Sequence, residues 1–178
     1  MNYRAASHKG NLATHPNSGA AASVEVVTLQ ESSDVQWAAR VMADSDPWRT
    51  LGIGFELSEK ILANPARERY LARVDGKAAG FLILNMAGGF TGYVQLLGVA
   101  PEYRGKGVGR ALLEFAERRI FRTTPNVFIC VSDFNSAARA FYAKLGYEPV
   151  GELKDYVVRG HAEILLRKSI APLREFKP

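Results

Sequence analysis

The 178-residue chain holds one cysteine, Cys130, which excludes an internal disulfide framework and a cysteine-rich zinc site. Its three histidines, His8, His15 and His161, are scattered without the helical or short-loop spacing that metal ligands need, so no metal is expected. No uncharged apolar run approaches the roughly 18 residues of a membrane span, and the best stretch, 78–84, is far shorter. Acidic residues are missing altogether from 1–23, where large apolar residues are also few. Such a segment cannot bury enough surface to offset its ordering entropy, so it is expected to be a mobile N-terminal tail. It lacks the continuous apolar core of a secretory signal. One domain is expected over 24–170, with a short C-terminal tail over 171–178, no membrane partner and a cytoplasmic location.

What is present is a polarised charge. The net charge is +5 and the pI is near 9.4. Segment 104–122 holds six basic residues against Glu114 and Glu117, whereas 31–59 holds six acids against Arg40 and Arg49. A compact basic segment beside clustered glycines suits a small polyanion better than a long nucleic-acid track, so no nucleic-acid partner is expected. Solvated helix faces account for Arg118, Arg119 and Arg122.

Periodicity gives a coarse order of elements. A β-branched strand is expected over 24–29, then a serine-capped helix over 34–42 in which Trp37, Ala38 and Val41 recur at helical spacing. Pro47 breaks that helix, and a second short one follows over 56–62. Asp75-Gly76 between two apolar runs signals a tight hairpin. A strand over 93–99 leads into glycines and then a helix with Val108, Leu112, Phe115, Leu113, Ala116 and Ile120 on its apolar face. A buried-type strand covers 127–131, and Asn135 caps a helix that Gly146 closes. Two final strands are expected over 147–158 and 162–167. The fold class is α/β (α+β): a mixed, mostly antiparallel central sheet of six to seven strands with helices on both faces.

Ligands of such sheets lie beyond the carboxyl ends of strands, and the strand ending at Val99 feeds the sequence Arg104-Gly105-Lys106-Gly107-Val108-Gly109-Arg110. Glycines allow tight turns and close backbone approach, and the free N–H groups at a helix start point toward an anion. Arg104 and Lys106 add positive charge where the helix dipole is already positive. A Walker loop fails because Gly107 follows Lys106, and a dinucleotide fingerprint fails because Arg110 stands at its last glycine. The pattern that fits has Arg or Gln, two variable residues, Gly, one variable residue, then Gly or Ala.

With these residues the chain resembles the GNAT family of acetyl-CoA-dependent N-acyltransferases. A second signature strengthens the likeness: Asn135-Ser136-Ala137-Ala138-Arg139-Ala140-Phe141-Tyr142-Ala143-Lys144-Leu145-Gly146-Tyr147. The resemblance spans 24–168 and is similar to the branch that acetylates ribosomal-protein alanine termini. It implies acetyl-CoA as co-substrate and an amine acceptor as partner, in a monomer or homodimer. By the same resemblance, backbone amides of Arg104, Gly105, Lys106, Gly107, Val108 and Gly109 hold the pyrophosphate. Leu97, Gly98 and Val99 pair with pantetheine as an added strand, and a bulge at Gly98 splays that strand from the one over 127–131. An amide there stabilises the developing oxyanion. Asn135 and Ala138 hold the pantetheine arm, and Tyr142 protonates the departing thiolate, a task suited to its reference pKa of about 10.

The resemblance departs at two places. The glutamate base of the alanine acetyltransferases is replaced by Cys130, whose thiol is a poor base, leaving His161, Glu56, Asp133 or a water. Tyr156 matches a tyrosine of their acceptor groove, but Val157 replaces the second. Trp48, Asp44, Asp46 and Glu56 fall on the acceptor side, where carboxylates and an aromatic face attract a cationic amine. Two readings follow: an acetyltransferase acting on a protein N-terminus or small-molecule amine by direct transfer in a ternary complex, or a CoA-binding module that has lost catalysis.

Overall fold

The computed structural model describes residues 23–177, so all but the last residue of the expected N-terminal tail lies outside the described residues. The elements run β1 (Val24–Thr28), α1 (Ser32–Ala43), α2 (Phe55–Leu62), β2 (Glu68–Val74), β3 (Lys77–Asn85), β4 (Tyr93–Val99), a 3-10 turn (Pro101–Tyr103), α3 (Val108–Ile120), β5 (Asn126–Ser132), α4 (Ser136–Lys144), β6 (Glu148–Lys154) and β7 (Ala162–Ser169). The strands form one seven-stranded sheet in the order β1-β2-β3-β4-β5-β7-β6. All neighbours are antiparallel except β4 and β5.

β3 is buried on both faces from Ala79 to Leu84, which is why its sequence reads as an unbroken apolar run rather than an alternation. Phe81 and Ile83 point to one side, where they meet Leu29, Val35, Ala38, Met42 and Leu62 from the α1–α2 layer. Leu82 and Leu84 point to the other, against Leu112, Leu113, Ala116 and Ile120 of α3. The β2–β3 turn places Asp75 at φ 50° and Gly76 at φ 74°, the left-handed pair a two-residue hairpin demands.

Three expectations need correction. Ser32 is the first helical residue of α1 rather than its cap; Glu31 stands at the cap without a side-chain bond. The strand expected over 147–158 ends at Lys154, because Asp155 turns to φ 52° and accepts a 2.6 Å bond from the Gly160 amide. Gly98 carries no bulge: it pairs in register with Phe81, and the extra residue lies at Gln95, between Ile83↔Leu96 and Leu84↔Val94. A Cβ at Gly98 would drive into the Phe81 ring, so close packing is what requires glycine there.

The splay itself is present. β4 and β5 pair at Tyr93↔Phe128 and Val94↔Ile129, beyond which they separate. Of the basic residues in 104–122, Arg119 is neutralised from outside the segment by Glu68 at 2.5 Å and Arg110 meets Glu114 within it at 2.9 Å, while Glu117 is taken by Lys168 of β7 at 2.8 Å.

Candidate active site

The turn into α3 holds Gly105 at φ 72° and Gly107, the N-cap, at φ 85°. Both are left-handed conformations that a side chain resists. The Ala111 amide bonds back to the Gly107 carbonyl at 3.0 Å, so the amides of Val108, Gly109 and Arg110 precede the first helical bond and have no intrahelical acceptor. The first turn of α3 carries no acidic residue. A Cβ at Gly109 would touch Val99 at 3.5 Å and Phe141 at 3.7 Å, ordinary contacts that explain why alanine also satisfies the pattern there.

A cleft of about 490 Å³ opens beside this turn. It gathers Leu97, Gly98 and Val99 from β4, Arg104, Gly105, Gly107 and Gly109 from the turn, and Asn135, Ala138 and Tyr142 from α4, with Trp48 opposite. Two residues expected here contribute no side chain to its wall. Val108 is fully buried in the α3 core, and Lys106 places its ammonium 5.7 Å from the Tyr103 ring. Arg104 lines the cleft as a strut: Nε donates to the Val99 carbonyl and Nη2 to Ser45 Oγ, both at 3.1 Å. It ties the end of β4 to the end of α1.

Pro47, Trp48, Leu97, Asn135, Ala138 and Tyr142 also wall a second chamber of about 260 Å³, which lies in the splay between β4 and β5. Tyr93, Cys130 and Tyr156 connect that chamber to a third of about 320 Å³, rimmed by Phe90 and Leu153. Trp48, Leu97, Tyr142 and Tyr156 therefore lie along one passage. Glu56 does not: it faces a separate depression with Glu59, Lys60 and Arg69, because α2 turns that side of its axis away from the sheet.

The second and third chambers are sparsely charged. Tyr142 is 6% exposed, burial raises its hydroxyl pKa, and the hydroxyl makes no hydrogen bond to the described residues. The Asn135 side chain accepts a 3.1 Å bond from the Ala138 amide, capping α4 and leaving its NH₂ group to donate. Burial pushes the Cys130 thiol up, away from service as a base. His161 and Asp133 do not line the passage. Asp133 accepts from the Ala162 amide at 3.2 Å, and His161 lies 3.7 Å from its other oxygen and edge-on to Phe134.

Glu163 does line it, with Ser132 and Tyr93, and none of these three was reached from the sequence. Glu163 is 7% exposed and accepts a 2.5 Å bond from the Ser132 hydroxyl across the β5–β7 register. Burial, with Asp133 nearby, raises its carboxyl above the ordinary range against the opposing pull of the Ser132 bond. The available signal was one acid breaking the otherwise apolar start of β7, Ala162-Glu163-Ile164-Leu165-Leu166.

A splayed mixed sheet with an open helix start beside the gap is the architecture that the resemblance implies. The chain belongs to the acetyltransferase (GNAT) family, whose family model matches residues 30–147. An uncharacterized N-acetyltransferase of Methanocaldococcus jannaschii is 35% identical over 101 residues, 56% of this chain and 64% of that relative. The match therefore spans slightly under two thirds of that relative's length. The ribosomal-protein-S18-alanine N-acetyltransferase from Escherichia coli shares the fold at a TM-score of 0.65 and 21% identity, over 88% of this chain and 99% of that one. An aminoglycoside 6'-N-acetyltransferase complexed with coenzyme A does so at 0.65 and 18% identity, over 86% and 99%. Among the described residues no helix is long and apolar enough to cross a membrane, and no cluster of metal-ligating side chains occurs.

Proposed function

We propose that the protein transfers an acetyl group from acetyl-CoA to a primary amine, directly and within a ternary complex. The observation that carries this reading is the meeting of two chambers at Leu97, Asn135 and Tyr142, one chamber floored by the open start of α3. The unpaired amides there and the positive end of the helix suit a pyrophosphate. The β4 edge at 97–99, freed by the splay, suits an extended amide-bearing arm lying as an added strand. A backbone amide of that edge is placed to stabilise negative charge developing on the acetyl oxygen. That an aminoglycoside acetyltransferase of like fold is complexed with coenzyme A supports coenzyme A as the class of ligand.

Tyr142 is the proton donor to the departing thiolate. Its raised pKa keeps the hydroxyl protonated throughout the neutral range, and among the described residues none accepts a hydrogen bond from it. Replacement by Phe removes the proton and little else, since the ring packs edge-on against Phe141 and Tyr147. Tyr142→Phe is expected to lower kcat about 10²-fold or more while leaving thermal stabilisation by acetyl-CoA in place. Unchanged turnover in that variant removes Tyr142 from the chemistry. Acetyl-CoA stabilisation without transfer to any amine returns the protein to the CoA-binding module reading.

A further inference from the structure

The carboxylates expected on the acceptor side do not wall the second and third chambers. Asp46 borders the first cleft and is engaged at 2.8 Å by both Arg49 and Thr50, Glu56 faces a different depression, and Asp44 lines neither chamber. The second chamber is instead walled by Trp48, Leu51, Ile53 and Ile61, with Tyr93 and Tyr156 continuing into the third. Among the described residues lining these two chambers, Glu163 alone carries a carboxylate, and no lysine or arginine joins it.

We infer that the acceptor is a small primary monoamine carried on an apolar or aromatic body, its nitrogen received by Glu163; this rests on the acetyltransferase reading above. One buried carboxylate matches one ammonium. Each additional ammonium of a polyamine or an amino sugar would lose its hydration between Leu51, Ile53 and Ile61 with no partner in return. An aromatic body, by contrast, gains edge and face contacts with Trp48, Tyr93 and Tyr156. A volume of about 260 Å³ sits at the small end of ligand pockets, which favours a compact molecule.

The chemistry balances with the groups present. The ammonium gives one proton to the Glu163 carboxylate, and its freed lone pair forms the N–C bond to the acetyl carbonyl. The C–S bond breaks, sulfur takes the Tyr142 proton, and the new amide nitrogen returns its surplus proton to the tyrosinate. Glu163 then releases its proton to solvent. Cys130 from β5, Asp133 just past its end, Tyr93 from β4 and Tyr156 from the 155–161 loop are the titratable groups facing it.

The test measures acetyl transfer by the full chain to phenethylamine, spermidine, kanamycin and an alanine-initiated tetrapeptide, alongside thermal shift with acetyl-CoA. Phenethylamine is expected to lead by about tenfold or more in kcat/KM. Glu163→Gln is expected to lower that value about 100-fold with the acetyl-CoA shift retained. Tyr156→Ala, at a side chain exposed enough to spare the fold, is expected to raise KM for phenethylamine. Preference for spermidine, kanamycin or the peptide overturns the inference, as does an undiminished rate in Glu163→Gln or an unchanged KM in Tyr156→Ala. Failure of acetyl-CoA to shift the melting temperature, with no amine acetylated, overturns the acetyltransferase reading itself.

Discussion

Glu163 shows what one buried carboxyl does to pH behaviour. Its folded-state pKa is raised by burial, so the stabilising contribution of its protonated form is complete below the ordinary carboxylate value and is lost as pH rises through the raised one. Glutamine keeps the neutral form at every pH and can still bond Ser132. Glu163→Gln should therefore melt higher than the parent protein at mildly alkaline pH, with the gap closing below about pH 4. A parallel pair of melting curves across pH is the check, and a constant gap would refute the assignment. On the proposed role activity should move the opposite way, since the base is the carboxylate and is lost as acid protonates it. Asn135 and Tyr142 were legible as residues of the passage wall because helix caps and signatures are local. Glu163 was not, because its place there depends on lying opposite Ser132, across a register no local pattern encodes.

The same division holds for elements. The β2–β3 hairpin was legible because Asp75-Gly76 carries its own geometry, and α3 was legible because its apolar spacing and glycine start are contiguous. The end of β6 was not, since Tyr156-Val157-Val158 has strand composition and is turned away by the Asp155 and Gly160 contact. The position of the β4 irregularity was misplaced for a related reason. Glycine usually marks a bulge, but Gly98 exists to admit the Phe81 ring from β3. Gly98→Ala is accordingly expected to destabilise by about 1–3 kcal/mol, and Phe81→Leu in the same chain should recover part of that loss. Denaturant titration of the two single variants and the double variant measures the coupling. The α3 turn gives a contrasting pair. Gly107→Ala meets no neighbouring atom yet must hold φ 85°, costing about 1–2 kcal/mol and weakening acetyl-CoA binding. Gly109→Ala has ordinary φ and ordinary contacts, so it should leave stability unchanged or raised by up to about 1 kcal/mol.

At the scale of the whole molecule, the sheet is two blocks joined by a narrow seam. β1 to β4 form one and β5 to β7 the other, and between them β4 and β5 share Tyr93↔Phe128 and Val94↔Ile129. The rest of that boundary is the passage. The seam is reinforced from outside: Glu117 of α3 accepts from Lys168 at 2.8 Å and from Tyr147 at 3.1 Å, binding the helix that packs on β3 to the far block. A co-substrate laid along 97–99 and gripped by the amides of 105–110 would contact the first block through β4 and α3, and the second through Asn135 and Tyr142 of α4. Binding should thus lower the frequency with which the blocks part, by up to the mass-action effect of about 2.7 kcal/mol at a hundredfold excess over Kd. Amide hydrogen exchange shows where that protection falls. Acetyl-CoA is expected to slow exchange at 97–99, 105–110 and the first turn of α4, which the proposed pose puts in contact with it, and also along β5, whose pairing with β4 is the seam. β6 is an outer strand, largely exposed and paired to β7 alone, so its rates should change least. Protection confined to 97–110, with β5 exchanging as fast as before, would mean that the ligand rests on one block and the splay is not bridged.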